Sequence, residues 1–120
     1  MDKTKKILES ITNGIQDKKG YGIVIANMSN IDTSICNYFV ICSGNSTQQV
    51  ESIATSISDY VRETNGEKPV NCTGLGNSHW VAIDYIDIMV HIFTPETRAF
   101  YDIEHLWEDA DMVRLPDIDQ

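Results

Sequence analysis

Two runs near the middle of the chain, His79 to Tyr85 and Ile88 to Phe93, alternate in polarity with a period of two, and only Ile86-Asp87 separates them. No other feature constrains the fold as much. A period of two puts neighbouring side chains on opposite faces of a strand. Two such runs joined this closely form an antiparallel hairpin. A two-residue connection sets Tyr85 opposite Ile88, Asp84 opposite Met89, Ala82 opposite His91 and Trp80 opposite Phe93. One face then carries Val81, Ile83, Tyr85, Ile88, Val90 and Ile92, an aliphatic core face. The other carries Trp80, Ala82, Asp84, Met89, His91 and Phe93. Large aromatics beside a carboxylate and an imidazole suit a partly exposed platform. Ile86 fits poorly where a tight turn favours Gly, Asn or Asp. A longer loop with a shifted register therefore stays open.

The flanking sequence supplies the rest of an α/β domain. Ile7, Leu8, Ile11 and Ile15 recur at helical spacing over Lys3 to Asp17, and Lys18-Lys19-Gly20 suits the helix end. Tyr21 to Ala26 reads as a strand, followed by a polar loop through Asn30 and Asp32. Tyr38 to Cys42 is continuously apolar, as in a strand covered on both faces. Ser43-Gly44-Asn45 breaks the chain. Ser46 and Gln49 then stand at capping-box spacing before a stripe of Val50, Ile53, Ala54, Ile57 and Val61, and Asn65-Gly66 ends that helix. Pro69 to Thr73 is a short strand and Gly74 to Ser78 a flexible loop. Thr94-Pro95-Glu96 opens a last helix that fades near Asp109, with Phe100, Ile103 and Trp107 as its stripe and Tyr101 beside them. The reading is a single mixed β-sheet with flanking helices, in the order α, β, β, α, β, β, β, α. Residues 1–110 form one domain, and 111–120 form an irregular acidic C-terminal tail.

Charge narrows the partner. Nine basic and eighteen acidic residues give a formal net charge of −9. Direct nucleic-acid readout is disfavoured. Two meanings remain: a solvated acidic surface, or a surface for a basic partner. From Val81 onward ten acids stand against two arginines, so the acidic field belongs to the C-terminal part. Cys36, Cys42 and Cys72 are odd in number with no close pair, which argues against a disulfide framework, and Cys42 reads as a core side chain. His79, His91 and His105 show no zinc-ligand spacing, so no metal is expected. No segment resembles a membrane span or an export signal, and the cysteine usage fits a reducing, cytoplasmic setting.

Three blocks carry a family resemblance. Asn37-Tyr38-Phe39-Val40-Ile41 with Ser43-Gly44-Asn45-Ser46 resembles the first block of the ribosomal silencing factor family, also called the Iojap family. Trp80-Val81, Asp84-Tyr85, Asp87, Val90-His91 and Phe93 resemble its second block. Arg98, Tyr101, Glu104 and Leu106-Trp107 resemble its third. The resemblance implies a protein that binds the large ribosomal subunit at the ribosomal protein called L-fourteen. It would block small-subunit joining and lower translation when nutrients are short. It also implies a nucleotidyltransferase-like fold without known catalysis and without a cofactor. The candidate partner-binding residues are Trp80, Asp84, Tyr85, Asp87, His91, Phe93, Arg98, Tyr101 and Glu104. The chain departs from the family pattern at Asn37, where an acid is usual, at Thr73, where a Glu precedes the glycine, and at Ile86, where a glycine is usual.

Each candidate also has a structural reading. Trp80 and Phe93 pack under the last helix instead of forming a platform. Asp84 satisfies a nearby backbone amide. His91 is a hydrogen-bonded structural residue. Arg98 pairs with Asp102, four residues on. Tyr101 and Trp107 anchor the last helix, and Glu104, Glu108 and Asp109 form a solvated face. Rival functions are a nucleotidyltransferase-like enzyme, with phosphate at Ser43-Gly44-Asn45-Ser46 and magnesium at Asp84 and Asp87, or an acidic adaptor for another basic protein. A homodimer through the aromatic face is compatible with all of these.

Overall fold

The structure is a computed structural model that describes residues 3–29, 36–107 and 110–117, with Trp107 described in its backbone only. The loop at Asn30 and Asp32, the side chain of Trp107, Glu108, Asp109 and the last three residues lie outside the described residues. The elements are α1 (Lys3–Asp17), β1 (Tyr21–Asn27), β2 (Tyr38–Ser43), α2 (Thr47–Asn65), β3 (Asn71–Thr73), β4 (Trp80–Asp84), β5 (Ile88–Phe93), α3 (Pro95–Tyr101), a 3-10 helix (Ile103–Trp107) and β6 (Asp111–Arg114). The six strands make one sheet in the order β3-β4-β5-β2-β1-β6. Only β2 and β5 run parallel, so the sheet is mixed.

The hairpin forms in the register the alternation predicts, with Trp80 opposite Phe93, Ala82 opposite His91 and Asp84 opposite Met89. Its connection is the short one, and the Tyr85 N–H donates to the Ile88 carbonyl at 2.9 Å. The mismatch at Ile86 is real: this β-branched residue holds a left-handed backbone at φ +75°. Asp84 Oδ1 supports the turn by accepting the Ile86 N–H at 2.8 Å.

The aliphatic face is buried as the pattern requires. Val81, Ile83, Tyr85, Ile88, Val90 and Ile92 pack with Val40 and Cys42 beneath Ile7, Ile11 and Ile15 of α1 and the apolar stripe of α2. The two helices come close because Gly14 of α1 has no side chain. A Cβ there would lie 2.9 Å from the Ile57 Cα, and Ser56 Oγ donates to the Gly14 carbonyl at 2.8 Å across the same contact.

The start of α2 is capped as expected in part. Ser46 Oγ accepts the Gln49 N–H at 3.1 Å, but Gln49 Oε1 accepts the N–H of Asn45, not that of the cap residue. Its amide nitrogen donates to the Lys18 and Lys19 carbonyls, so one side chain joins the end of α1 to the start of α2.

Two expectations about the C-terminal part are corrected. The last helix does not reach Asp109. It stops after seven residues, where Asp102 turns left-handed at φ 46°, and the chain continues as the 3-10 helix. The irregular tail placed at 111–120 begins with a strand, since Asp111–Arg114 pairs antiparallel with Asn27–Val24 of β1. Four residues are too few for a periodic signal, and the pairing partner lies far away in the chain. The sheet therefore extends beyond residue 110.

Candidate partner-binding face

The second sheet face lacks the helix layer. Ala26, Met28, Ile41 and Phe93 form a small buried cluster on it, with Phe39, Trp80, Ile103, Ala110 and Met112 packed around them. Among the described residues, Ile103, Ala110 and Met112 of the chain after β5 cover part of this face, and Trp80, Ala82, Asp84, Met89 and His91 stay half-buried on it.

A row of rings crosses the face. Phe39 and His91 stack at 6.0 Å, and His91 and Phe93 at 6.1 Å. Trp80 stacks on Phe93 at 4.9 Å, and Tyr101 of α3 tilts against Trp80 at 4.9 Å. Phe100 meets Tyr101 edge-on at 5.0 Å. Such contacts fix ring orientation and stabilise each pair by about 1 kcal/mol. Trp80 is held a second way, because its indole N–H donates to His91 Nδ1 at 3.0 Å. Burial lowers the His91 pKa to about 4, so the imidazole is neutral at pH 7 and Nδ1 is free of a proton to accept that bond. Sequence reasoning did not select Phe39. Its signal was the parallel pairing of β2 with β5, which sets Phe39 beside Met89 on this face.

The nine candidates divide by position. Trp80, Asp84 and His91 are half-buried on the open face, and Tyr101 and Asp87 are exposed. Phe93, at 0% exposure, lies beneath the row and presents no surface. Tyr85 is buried on the helix-covered side, away from the other rings. Its hydroxyl lacks a hydrogen bond of good geometry, and burial raises its pKa, with Ser58 opposing part of that shift. Asp84 is engaged by its own turn, while Asp87 at the hairpin tip accepts from Thr4 Oγ1 at 3.3 Å.

Arg98 and Glu104 turn inward. Arg98 Nε donates to Glu104 Oε1 at 2.7 Å and Nη1 to Ser43 Oγ at 2.8 Å, with the two charged side chains only 16% and 20% exposed. The hydrogen bond from Arg98 holds the Glu104 carboxyl below its usual range against the opposing effect of burial, and the charges of Arg98 and Arg114 act in the same direction. Gly22 makes room for the guanidinium, since a Cβ there would lie 2.7 Å from Nη1. Arg98 thus ties α3, the 3-10 helix and β2 together. The expected pairing of Arg98 with Asp102 does not occur, because Asp102 has left the helix and pairs with His105 at 3.7 Å.

Cys42 is fully buried and its thiol is pushed up to about 12. Among the described residues no group of three His, Cys, Asp or Glu side chains could hold a metal ion, and no helix is long and apolar enough to cross a membrane.

The architecture is an α/β domain with one mixed sheet and an aromatic row on its second face, and the relatives of the chain say to which family it belongs. The profile of the family described as "Ribosomal silencing factor during starvation" matches residues 1–120. A protein named ribosomal silencing factor RsfS, from Halalkalibacterium halodurans, is 37% identical over 92% of this chain and 93% of its own length. A crystal structure of a Chromobacterium violaceum protein superposes with a TM-score of 0.82 at 30% identity, covering 89% of this chain and 87% of that one. A mouse protein named mitochondrial assembly of ribosomal large subunit protein 1 is 29% identical over 59% of this chain and 32% of its own length. The chain belongs to the ribosomal silencing factor family.

Proposed function

We propose that this protein binds the large ribosomal subunit at the ribosomal protein called L-fourteen and, by occupying that surface, blocks the small subunit from joining and represses translation. The observation that carries this reading is the pre-set aromatic row. Its rings are locked by stacking and by the bond from Trp80 to His91, yet its outer side is not covered by the protein's own helix layer. A surface ordered before binding loses little conformational freedom on association. Family membership and the name of the mouse relative support the large subunit as the partner.

The candidate residues then take different parts. Trp80, His91 and Tyr101 offer aromatic edges. Asp84 and Asp87, with the acids that follow Val81, meet the basic surface of a ribosomal protein and speed encounter. Phe93 and Tyr85 support from beneath, and Arg98 and Glu104 hold the C-terminal segment in place. The mechanism is steric and needs no cofactor, membrane or nucleic-acid readout. Its setting is the cytoplasm. Two copies joined through the same face would compete with the ribosome.

A transferase reading has less to stand on. Three of the backbone amides around the start of α2 are already occupied. Gly44 N–H donates to the Phe93 carbonyl, Asn45 N–H to Gln49 Oε1 and Gln49 N–H to Ser46 Oγ. Asp84, one of the two proposed magnesium ligands, already accepts from the backbone of its own turn.

The test is sedimentation of the purified protein with separated large and small ribosomal subunits. Co-migration with large subunits and a smaller yield of joined ribosomes is the expected result. Folded protein that stays unbound at low salt would overturn the proposal and move an acidic adaptor for another basic protein to the front.

A further inference from the structure

α3 is an unusual helix to find in a small domain. It has seven residues, and none of them is buried. An isolated helix of that length is not stable in water, and most helices persist because one face packs on a core. α3 is held from its ends and flank instead. Pro95 pre-sets its first turn, Arg98 ties it to Ser43 and Glu104, and Tyr101 leans on Trp80. Pinned in this way, it points apolar side chains outward. Phe100 is 80% exposed, and Leu106, on the 3-10 helix that follows, is 78% exposed. With Tyr101 they place three of the seven large exposed hydrophobics among the described residues within seven positions. Single exposed apolar residues need no explanation, but a cluster that continues an aromatic row marks an interaction site.

We propose that Phe100 and Leu106 form the apolar anchor of the partner interface, entering a recess on a basic protein surface, with Phe100 packed on Tyr101 and Tyr101 held in turn by Trp80. This inference rests on the ribosome-binding reading above and deepens it. Charge decides the class of occupant. Glu96, Asp102 and Asp111 are exposed in the same segment. Arg98 is turned inward to Glu104, and Arg114 lies 3.9 Å from the other Glu104 oxygen. The exposed carboxylates of this segment outnumber its exposed arginine and complement a lysine- and arginine-rich protein. Trp80 is less suited to be the anchor, because it is half-buried and already committed to Phe93, His91 and Tyr101.

The experiment uses the full chain, separated large ribosomal subunits, and four variants: Phe100→Ser, Leu106→Ser, the two combined, and Val70→Ser. Val70 is 63% exposed on the loop before β3 and controls for a general loss of surface hydrophobicity. All three side chains are exposed, so the melting temperature should not change. Binding is expected to weaken about tenfold or more with Phe100→Ser, further with the Phe100→Ser/Leu106→Ser double variant, and not at all with Val70→Ser. If the unmodified protein binds and the double variant binds equally well, the anchor assignment is wrong while the ribosome reading stands. Equal weakening by Val70→Ser would also overturn it, since the contact would then be unspecific. If the unmodified protein does not bind large subunits, the ribosome reading fails and the anchor fails with it.

Discussion

The Trp80 indole needs an acceptor, and His91 supplies one only while its Nδ1 carries no proton. Burial lowers the His91 pKa from the ordinary 6.5 to about 4. Between those values the unfolded chain takes up a proton that the folded protein refuses, so stability falls as pH drops through that window and is unaffected above it. The full shift corresponds to roughly 3 kcal/mol. His91→Gln keeps an acceptor for the indole but cannot titrate. Its urea midpoint should depend less on pH between 6.5 and 4.5 than that of the unmodified protein, and an identical pH dependence would contradict a neutral, buried imidazole. The Glu104 carboxyl, held down by Arg98, adds a loss of stability only at lower pH, as it protonates.

Ile86 presents the opposite case, a residue at odds with its position. Its backbone lies at φ +75°, where a β-branched side chain costs about 1–2 kcal/mol, and it is 68% exposed, so little packing repays that strain. Ile86→Asn should raise stability by about 1 kcal/mol, read as a higher urea midpoint. A lower midpoint would mean that the side chain holds the hairpin tip by contacts worth more than the strain.

At the scale of elements, the close approach of α1 and α2 depends on one missing methyl group. Alanine favours a helix interior over glycine by about 1 kcal/mol, so Gly14→Ala should stabilise an isolated α1. In the folded protein the new Cβ would meet the Ile57 backbone at 2.9 Å, and the helices must separate or shift. Overpacking of this kind costs about 1–3 kcal/mol. The expected net effect is a lower melting temperature, whereas an unchanged or higher one would show that the helices part freely.

How much of this was legible depended on whether the signal was local. The hairpin and its register were readable because β4 and β5 alternate cleanly and sit side by side in the chain. The end of α3 was not, because its stop signal is a left-handed aspartate, Asp102, where glycine or asparagine is the usual cue. That error spread to Arg98. Pairing at four residues holds only within a continuous helix, and the true partner, Glu104, is brought near by the turn that was missed.

On the scale of the molecule, the same division holds for the site. The aromatic and aliphatic faces followed from parity along the strands. Which aromatics reach the surface did not, because the cover over Phe93 includes Ile103, Ala110 and Met112, and Met112 comes from a segment assigned to an irregular tail. Sequence pattern sorts side chains between faces; it does not say what lies on each face.

β6 closes the sheet by pairing residues 111–114 with residues 24–27. Domains emerge and fold from the N-terminal side during synthesis, so β1 is made early and its outer edge stays open until nearly all of the remaining chain has appeared. Bringing these two strands together is among the longest loop closures in the molecule and is slow for that reason. Met112, on that late strand, also packs over the aromatic cluster. A partly made chain therefore has its helices and central strands but an unfinished aromatic face. The face proposed to meet a partner is complete only once that strand is in place.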